Sequence, residues 1–337
     1  MARPSEEFLI AWSSLTGHDP APGWQAISLP SAGPVKVKAG RRTPTNLETV
    51  LLFFPSAKIP RSEKLPEGKG FLVERIESIN ATGLWLALTR KAAGSPELFA
   101  AMACDAVGAI DNAAATGVAE SKLPQAFIRR VIAWQQFMSR GATPLGAEAE
   151  LGLVGELTFI VYLLQAGVPT ETVLEGWVGP EDAPQDFVIG LGSIEVKTTL
   201  STAGFVAKIS SLEQLDDSTY SPLFLAALRF SREETGLSLP ELVSDLEHRL
   251  AEAPGAVSFF HEKLLTAGYV KTHETAYTRR FQMRELLFHR IIDGFPRLTR
   301  SMMPDGVFRA VYEIELHSAG EYIFPFDAAL KSLGVLK

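Results

Sequence analysis

The chain has almost no cysteine. Cys104 is the single one in 337 residues, which excludes a disulfide framework and a Cys-based zinc site and suits a reducing cytoplasm. Nor is there an excess of positive charge. The 32 Lys and Arg are outnumbered by 39 Asp and Glu, so nucleic acid would have to be met by a local basic surface, not by global attraction. No long apolar run is free of polar interruption. The nearest, Leu151 to Val168, is broken by Glu156 and carries Gln165 near its end, which reads as a buried helix and not a membrane span. The opening MARPSEEFLIAW lacks the basic-then-apolar pattern of a signal peptide, so a cytoplasmic location is expected. Also missing are GxxxxGK[ST], GxGxxG after a strand, HExxH and GxSxG. Any ATP-driven step would need a partner ATPase.

What is present suits an ordinary folded protein, 46% hydrophobic and 21% charged, and long enough for two domains. Residues 1–92 read as a β-rich domain. Val35 to Lys38, Thr49 to Phe54, Phe71 to Ile76 and Leu84 to Thr89 are short β-forming runs with Gly and Pro between them. Lys36, Lys38, Arg41 and Arg42 are candidate phosphate contacts there, or simply solvated strand residues. Residues 93–143 predict two connecting helices, the first opened by Ser95-Pro96 and the second ended by Gly141. Residues 144–337 form the third part, with helix, three strands, a helical turn after Ser211, a buried strand from Pro222 to Phe230, and helices. Ser238-Leu-Pro-Glu241 is a capping box that opens one of those helices.

The stretch Gln185 to Thr199, QDFVIGLGSIEVKTT, carries the chemistry. Two alternating runs flank a turn that starts on Gly190, which predicts a β-hairpin pairing Phe187 with Ile194 and Asp186 with Glu195. Lys197 falls on the same side as those two acids, with Phe187, Ile194 and Val196 on the other. Like charges opposed across a strand pair destabilise it, and a divalent cation between their oxygens removes the penalty. The alternative is an exposed hairpin with a Lys–Glu surface pair. Upstream, Leu153, Glu156, Ile160 and Leu163 share one helical stripe, so Glu156 is carried inward and needs a proton, a cation or a metal. Gly152 and Gly155 are expected to let that helix approach its neighbour closely. Between Tyr269 and Arg300, seven Lys or Arg stand against three acids. Arg279, Arg280, Arg297 and Arg300 from this run are candidate phosphate contacts, the alternative being internal ion pairs.

A helix with Glu156, then Asp186, then Glu195-Val196-Lys197, in αβββαβ order, resembles the PD-(D/E)XK nuclease superfamily. More narrowly, the chain resembles a bacterial group of PD-(D/E)XK motif proteins, a domain of unknown function found beside restriction and phage-defence genes. GLVGELTFI, QDFVIGLGSIEVKTT, AKISSLEQL, the SLPELV helix and FPRLTR carry the likeness across most of the chain. Gln185 stands where the motif often has proline. The resemblance implies an α/β fold, a restriction-endonuclease-like αβββαβ core with an N-terminal antiparallel β-rich domain. It implies an endonuclease that hydrolyses DNA, or RNA as the alternative, with Mg²⁺, for which Mn²⁺ substitutes. Asp186 and Glu195 would be the main metal ligands and Glu156 a second or outer ligand. Lys197 would act on the attacking water, and Gln214 would orient water or phosphate. Expected partners are other defence proteins, an ATPase among them, or a second copy of the chain. The competing class is a non-catalytic nucleic-acid-binding or assembly subunit that retains the fold.

Overall fold

The structure, a computed structural model, describes residues 5–15, 22–30, 33–76, 83–181 and 183–336. Residues 1–4 of the N-terminal stretch lie outside them. The chain divides into two compact units, Met1–Thr143 and Pro144–Lys337.

The first unit starts with α1 (Ser5–Ser14) and continues into β1 (Gly23–Leu29), β2 (Lys36–Thr43), β3 (Leu47–Phe54), β4 (Phe71–Ile76) and β5 (Leu84–Arg90). These strands form one antiparallel sheet in the order β1-β2-β3-β5-β4. The apolar runs foresee β2 to β5; they miss α1 and β1, whose GWQAISL has only a weak β signature. Two helices, α2 (Pro96–Ala115) and α3 (Leu123–Ser139), complete the unit. Expected as connectors, they instead belong to this unit: α2 packs on α1, α3 and β5. Ser95 caps α2 by accepting from the Leu98 N–H at 3.2 Å, with Pro96 in the first turn where no donor is needed. By length and composition alone α2 could cross a membrane. Its Phe99, Met102, Val107 and Ile110 are instead buried in the unit, as in a core helix.

The second unit runs α4 (Ala147–Gln165), α5 (Thr170–Gly176), β6 (Phe187–Ile189), β7 (Gly192–Thr199), β8 (Val206–Ile209) and β9 (Leu223–Ser238). Then come α6 (Leu239–Leu250), α7 (Ala256–Thr266), β10 (Arg280–Ile291), β11 (Tyr312–Glu315) and α8 (Phe326–Ser332). Four strands make a mixed sheet, β10-β9-β7-β6, in which β7 and β9 are parallel. The class is the expected α/β. Two details differ. β8 leaves the main sheet and pairs with β11 in a separate ribbon, and the stretch after Ser211 makes one hydrogen-bonded turn, Asp216 N–H to the Glu213 carbonyl at 3.2 Å, without a regular helix. Ser238 and Glu241 do form the capping box that opens α6.

Strand β9 is buried from Leu223 to Leu228, as a central strand covered on both faces must be. One face packs Ile194, Val196, Phe224 and Ala226 against Leu153, Leu157 and Ile160 of α4. The other packs Leu223, Leu225 and Ala227 against Phe205, Ala207 and Ile314 of the β8–β11 ribbon and its approach. Because strand side chains alternate, Glu195 and Lys197 leave β7 on this second side, level with Leu225 and Ala227. Gly155 sets the approach of α4, since an added Cβ would run into the Thr198 methyl of β7. Gly152 has nothing within 4 Å of such a Cβ, so it plays no part in that contact.

The two glycines should therefore answer alanine in opposite directions. Gly155→Ala should cost about 1–3 kcal/mol through overpacking. Gly152→Ala should add up to ~1 kcal/mol by favouring helix. Urea denaturation of both variants checks this, and equal effects would show that α4 does not rest on β7 at Gly155.

Candidate active site

The hairpin forms in the expected register, Phe187 with Ile194, Val188 with Ser193 and Ile189 with Gly192. Gly190 takes φ of +60°, which suits the first central position of a tight turn, and the Leu191 N–H donates to the Leu333 carbonyl at 2.9 Å. The ladder stops at Phe187, so Asp186 and Glu195 are not a direct cross-strand pair. Instead Asp186 folds over the strand end. Its Oδ2 accepts from the Val196 N–H at 2.7 Å, and its carbonyl accepts from the Val178 and Gly179 N–H groups, both at 2.9 Å.

This geometry still brings the expected residues together. Glu195 is 1% exposed; its Oε1 meets Lys197 Nζ at 2.7 Å, while its Oε2 has no hydrogen-bond partner among the described residues. The exposed Lys–Glu surface pair is thereby replaced by an internal one. Lys197 Nζ also donates to Gln214 Oε1 at 3.4 Å, an oxygen that accepts the Ser210 N–H at 2.7 Å. Gln214 thus holds the Lys197 ammonium. Glu156, on α4, accepts from the Trp177 indole at 2.6 Å. Asp186 Oδ1 and Glu156 Oε2 lie 2.9 and 3.0 Å from the point where a Gly179 Cβ would stand, so glycine keeps open the space between them.

Electrostatics follows from burial. Desolvation, then repulsion from Asp186, pushes Glu195 up to about 8, against the pull of Lys197. Glu156 is held well above the carboxylate range by desolvation and by Asp186, and Asp186 is raised by desolvation. Burial alone would lower the Lys197 ammonium, but Glu195, Asp186 and Glu156 outweigh it and hold its pKa above the ordinary value. At neutral pH the lysine is therefore a cation that donates.

Several residues that position this site have little sequence signature. Gln185, where the motif often has proline, is buried and donates to the carbonyls of Glu213 at 2.7 Å and Gln214 at 3.4 Å. Proline has no donor for this role. Lys263, on α7, donates to the Trp177 carbonyl at 2.7 Å and pairs with Glu181, bracketing the loop that presents Trp177 and Gly179. Tryptophan and glycine two apart just before the hairpin were the visible sign.

Each of the four candidate arginines of the basic C-terminal run meets an acid of the same unit. Arg297 is buried, donates to the Leu215 carbonyl at 2.7 Å and pairs with Asp217 at 2.9 Å. It braces the turn behind Gln214. Arg300 pairs with Glu213 at 2.9 Å, Arg280 with Glu241 at 2.9 Å, and Arg279 with the fully buried Glu150. Acids distant in sequence were already placed to meet these cations, which a local charge count does not reveal.

Among the described residues, no three His, Cys, Asp or Glu side chains already converge as a metal cage. The donor chemistry nevertheless fits a hard divalent cation. The carboxylates offer only oxygen, Glu195 Oε2 is buried without a partner, and all three carry pKa values raised by lost solvent. Residues 9–317 match the family described as "Putative PD-(D/E)XK family member, (DUF4420)". No curated protein and no solved structure gives a significant match.

An acid with a higher pKa folded than unfolded makes the native state hold more protons. Stability then falls as pH rises, for Glu195 from its ordinary 4.5 to about 8. His273 and His289, both lowered by burial, act in the opposite direction up to 6.5, so the informative quantity is a difference. In EDTA, Asp186→Asn should melt higher than the unsubstituted chain at pH 8 and lose that advantage towards pH 5. The gap should be on the order of a few kcal/mol. Thermal melts across that range test it, and an advantage that grows towards acid would refute the coupling.

Proposed function

The chain belongs to this PD-(D/E)XK family, and from that premise we propose that it is a divalent-metal-dependent endonuclease hydrolysing DNA phosphodiester bonds in a restriction or phage-defence setting. The observation that carries the reading is the convergence of the buried Glu195, whose Oε2 has no hydrogen-bond partner among the described residues, with Asp186 and the Lys197 ammonium. Mg²⁺ or Mn²⁺ held by Asp186, Glu195 and Glu156 would supply Lewis-acid polarisation of the phosphate and a more acidic water.

The chain's own residues divide the remaining work. Lys197, protonated and steered by Gln214 and Glu195, donates to an acceptor. It therefore suits orienting a water or stabilising a phosphate oxygen. The Val196 N–H holds Asp186 Oδ2 and leaves Oδ1 facing Gly179, while the Trp177 indole fixes Glu156 Oε2, the oxygen that faces Gly179 from the other side. A cytoplasmic location and partner defence proteins belong to the same proposal. One observation favours a non-catalytic DNA-binding subunit instead: Glu195 is already neutralised by Lys197 without any metal.

Plasmid nicking by the purified chain with Mg²⁺ or Mn²⁺ separates the two. The proposal expects cleavage, lost in Lys197→Ala while the metal-induced rise in melting temperature survives. That rise corresponds to about 2.7 kcal/mol at a hundredfold excess of metal over Kd. Gly179→Ala, whose φ suits alanine, should lose most of the rise because its methyl enters the space between Asp186 and Glu156. Undiminished cutting by Lys197→Ala would remove that residue from the mechanism, and no cutting with either metal would favour the binding subunit.

A further inference from the structure

The N-terminal sheet has two unlike faces. On one, Val37 and Ala39 of β2 are buried, and Arg41 donates to the Trp12 carbonyl of α1, whose indole ring lies 5.6 Å from Phe99 of α2. On the other, alternation places Lys36, Lys38, Gly40 and Arg42 in a row along β2. The register sets Trp24 of β1 opposite Arg42, Phe53 of β3 opposite Lys36, and Trp85 of β5 opposite Phe53. Lys36 is exposed, and the other five of these aromatic and basic residues are partly exposed.

Each cation lies over a ring. Lys36 Nζ is 5.6 Å from the Phe53 centroid, Lys38 Nζ 5.7 Å from Trp85, and the Arg42 guanidinium 5.9 Å from Trp24. Phe53 and Trp85 themselves touch, with centroids 4.9 Å apart. Among the described residues the face carries one acid, Glu74, and Arg42 already binds it at 2.6 Å. Among the described residues, neither lysine has a carboxylate partner. A chain of net charge −7 thus keeps partly exposed aromatic and cationic side chains interleaved on one sheet face, over the buried Leu51 and Ala87.

We propose that this face binds single-stranded nucleic acid. Exposed rings can stack on unpaired bases, which a duplex hides within its own stack, and cations beside them can meet the backbone. Side chains two apart on β2 repeat every 6.5–7 Å or so, which suits successive phosphates of an extended strand. In the free protein the cations occupy the ring faces. On binding they move to phosphate and release those faces to bases, an exchange favoured because base stacking outweighs an exposed cation–π contact. The inference concerns recognition in the first unit and does not require that the second unit cleave.

The test uses the full chain in EDTA, where no metal supports cutting, with a labelled 15-nucleotide oligo(dT) and a 15-base-pair duplex read by fluorescence anisotropy. Oligo(dT) should bind more tightly than the duplex and quench tryptophan emission. Trp85→Leu should weaken it by roughly 5- to 100-fold. Joint replacement Lys36→Gln and Lys38→Gln, which at these surface positions leaves the core untouched, should flatten the log–log salt slope by about 1.4. Circular dichroism confirms that each variant is folded. Binding that ignores all three substitutions, or a preference for duplex that survives them, overturns the proposal. So does a concentration-dependent dimer that Trp85→Leu dissolves, because a second copy would then own the face. A chain that binds oligo(dT) here but never cuts DNA supports this inference and defeats the nuclease reading; cutting with no such binding does the reverse.

Discussion

A carboxylate inside a strand pair is the constraint on which the second unit depends. Glu195 lies on β7, beside the fully buried β9, with 1% of its surface exposed. Removing a carboxylate from water costs several kcal/mol unless it is paired or protonated. The unit answers with Lys197, two residues along the same strand, and with a pKa near 8. Neither answer is complete, since among the described residues Oε2 has no hydrogen-bond partner. Under the proposed function a cation would supply what this carboxylate lacks, which would link the stability of the unit to its chemistry.

The surrounding framework holds that arrangement in place. Gly155 brings α4 against β7 and so delivers Glu156; Trp177 then fixes one of its oxygens. Gln185 and Arg297 approach the Glu213–Leu215 segment from different parts of the chain, and both bind its carbonyls. That segment carries Gln214, which in turn holds Lys197. Lys263 steadies the loop from Trp177 to Glu181. These are neutral or paired polar contacts around a charged centre, and their geometry limits where the centre's side chains can go.

Charge in this protein is informative only with its partners known. Arginine-rich sequence near the C-terminus suggests a phosphate surface, and each of those arginines also has an acid of the same unit beside it. Three modest cations on β2, unremarkable by count, have aromatic rings for neighbours and, for the lysines, no acid among the described residues. The difference lies in cross-strand register and in contacts tens of residues away, neither of which composition records.

The sequence alone determined the local elements with strong periodicity or turn chemistry. A glycine-led turn between alternating runs fixed the β6–β7 hairpin and its register, the Ser238–Glu241 capping box fixed the start of α6, and an apolar run marked β9. It also put Glu195 and Lys197 on one side, because strand alternation is a local rule. Tertiary structure decided everything that depended on who lies opposite. It ended the ladder before Asp186 and turned that side chain to the Val196 N–H. It moved β8 into a ribbon with β11, more than a hundred residues later, and gave Gly155 but not Gly152 a neighbour. The physical reason is that periodicity tells a residue which way to face, while only the packed chain supplies what it meets there.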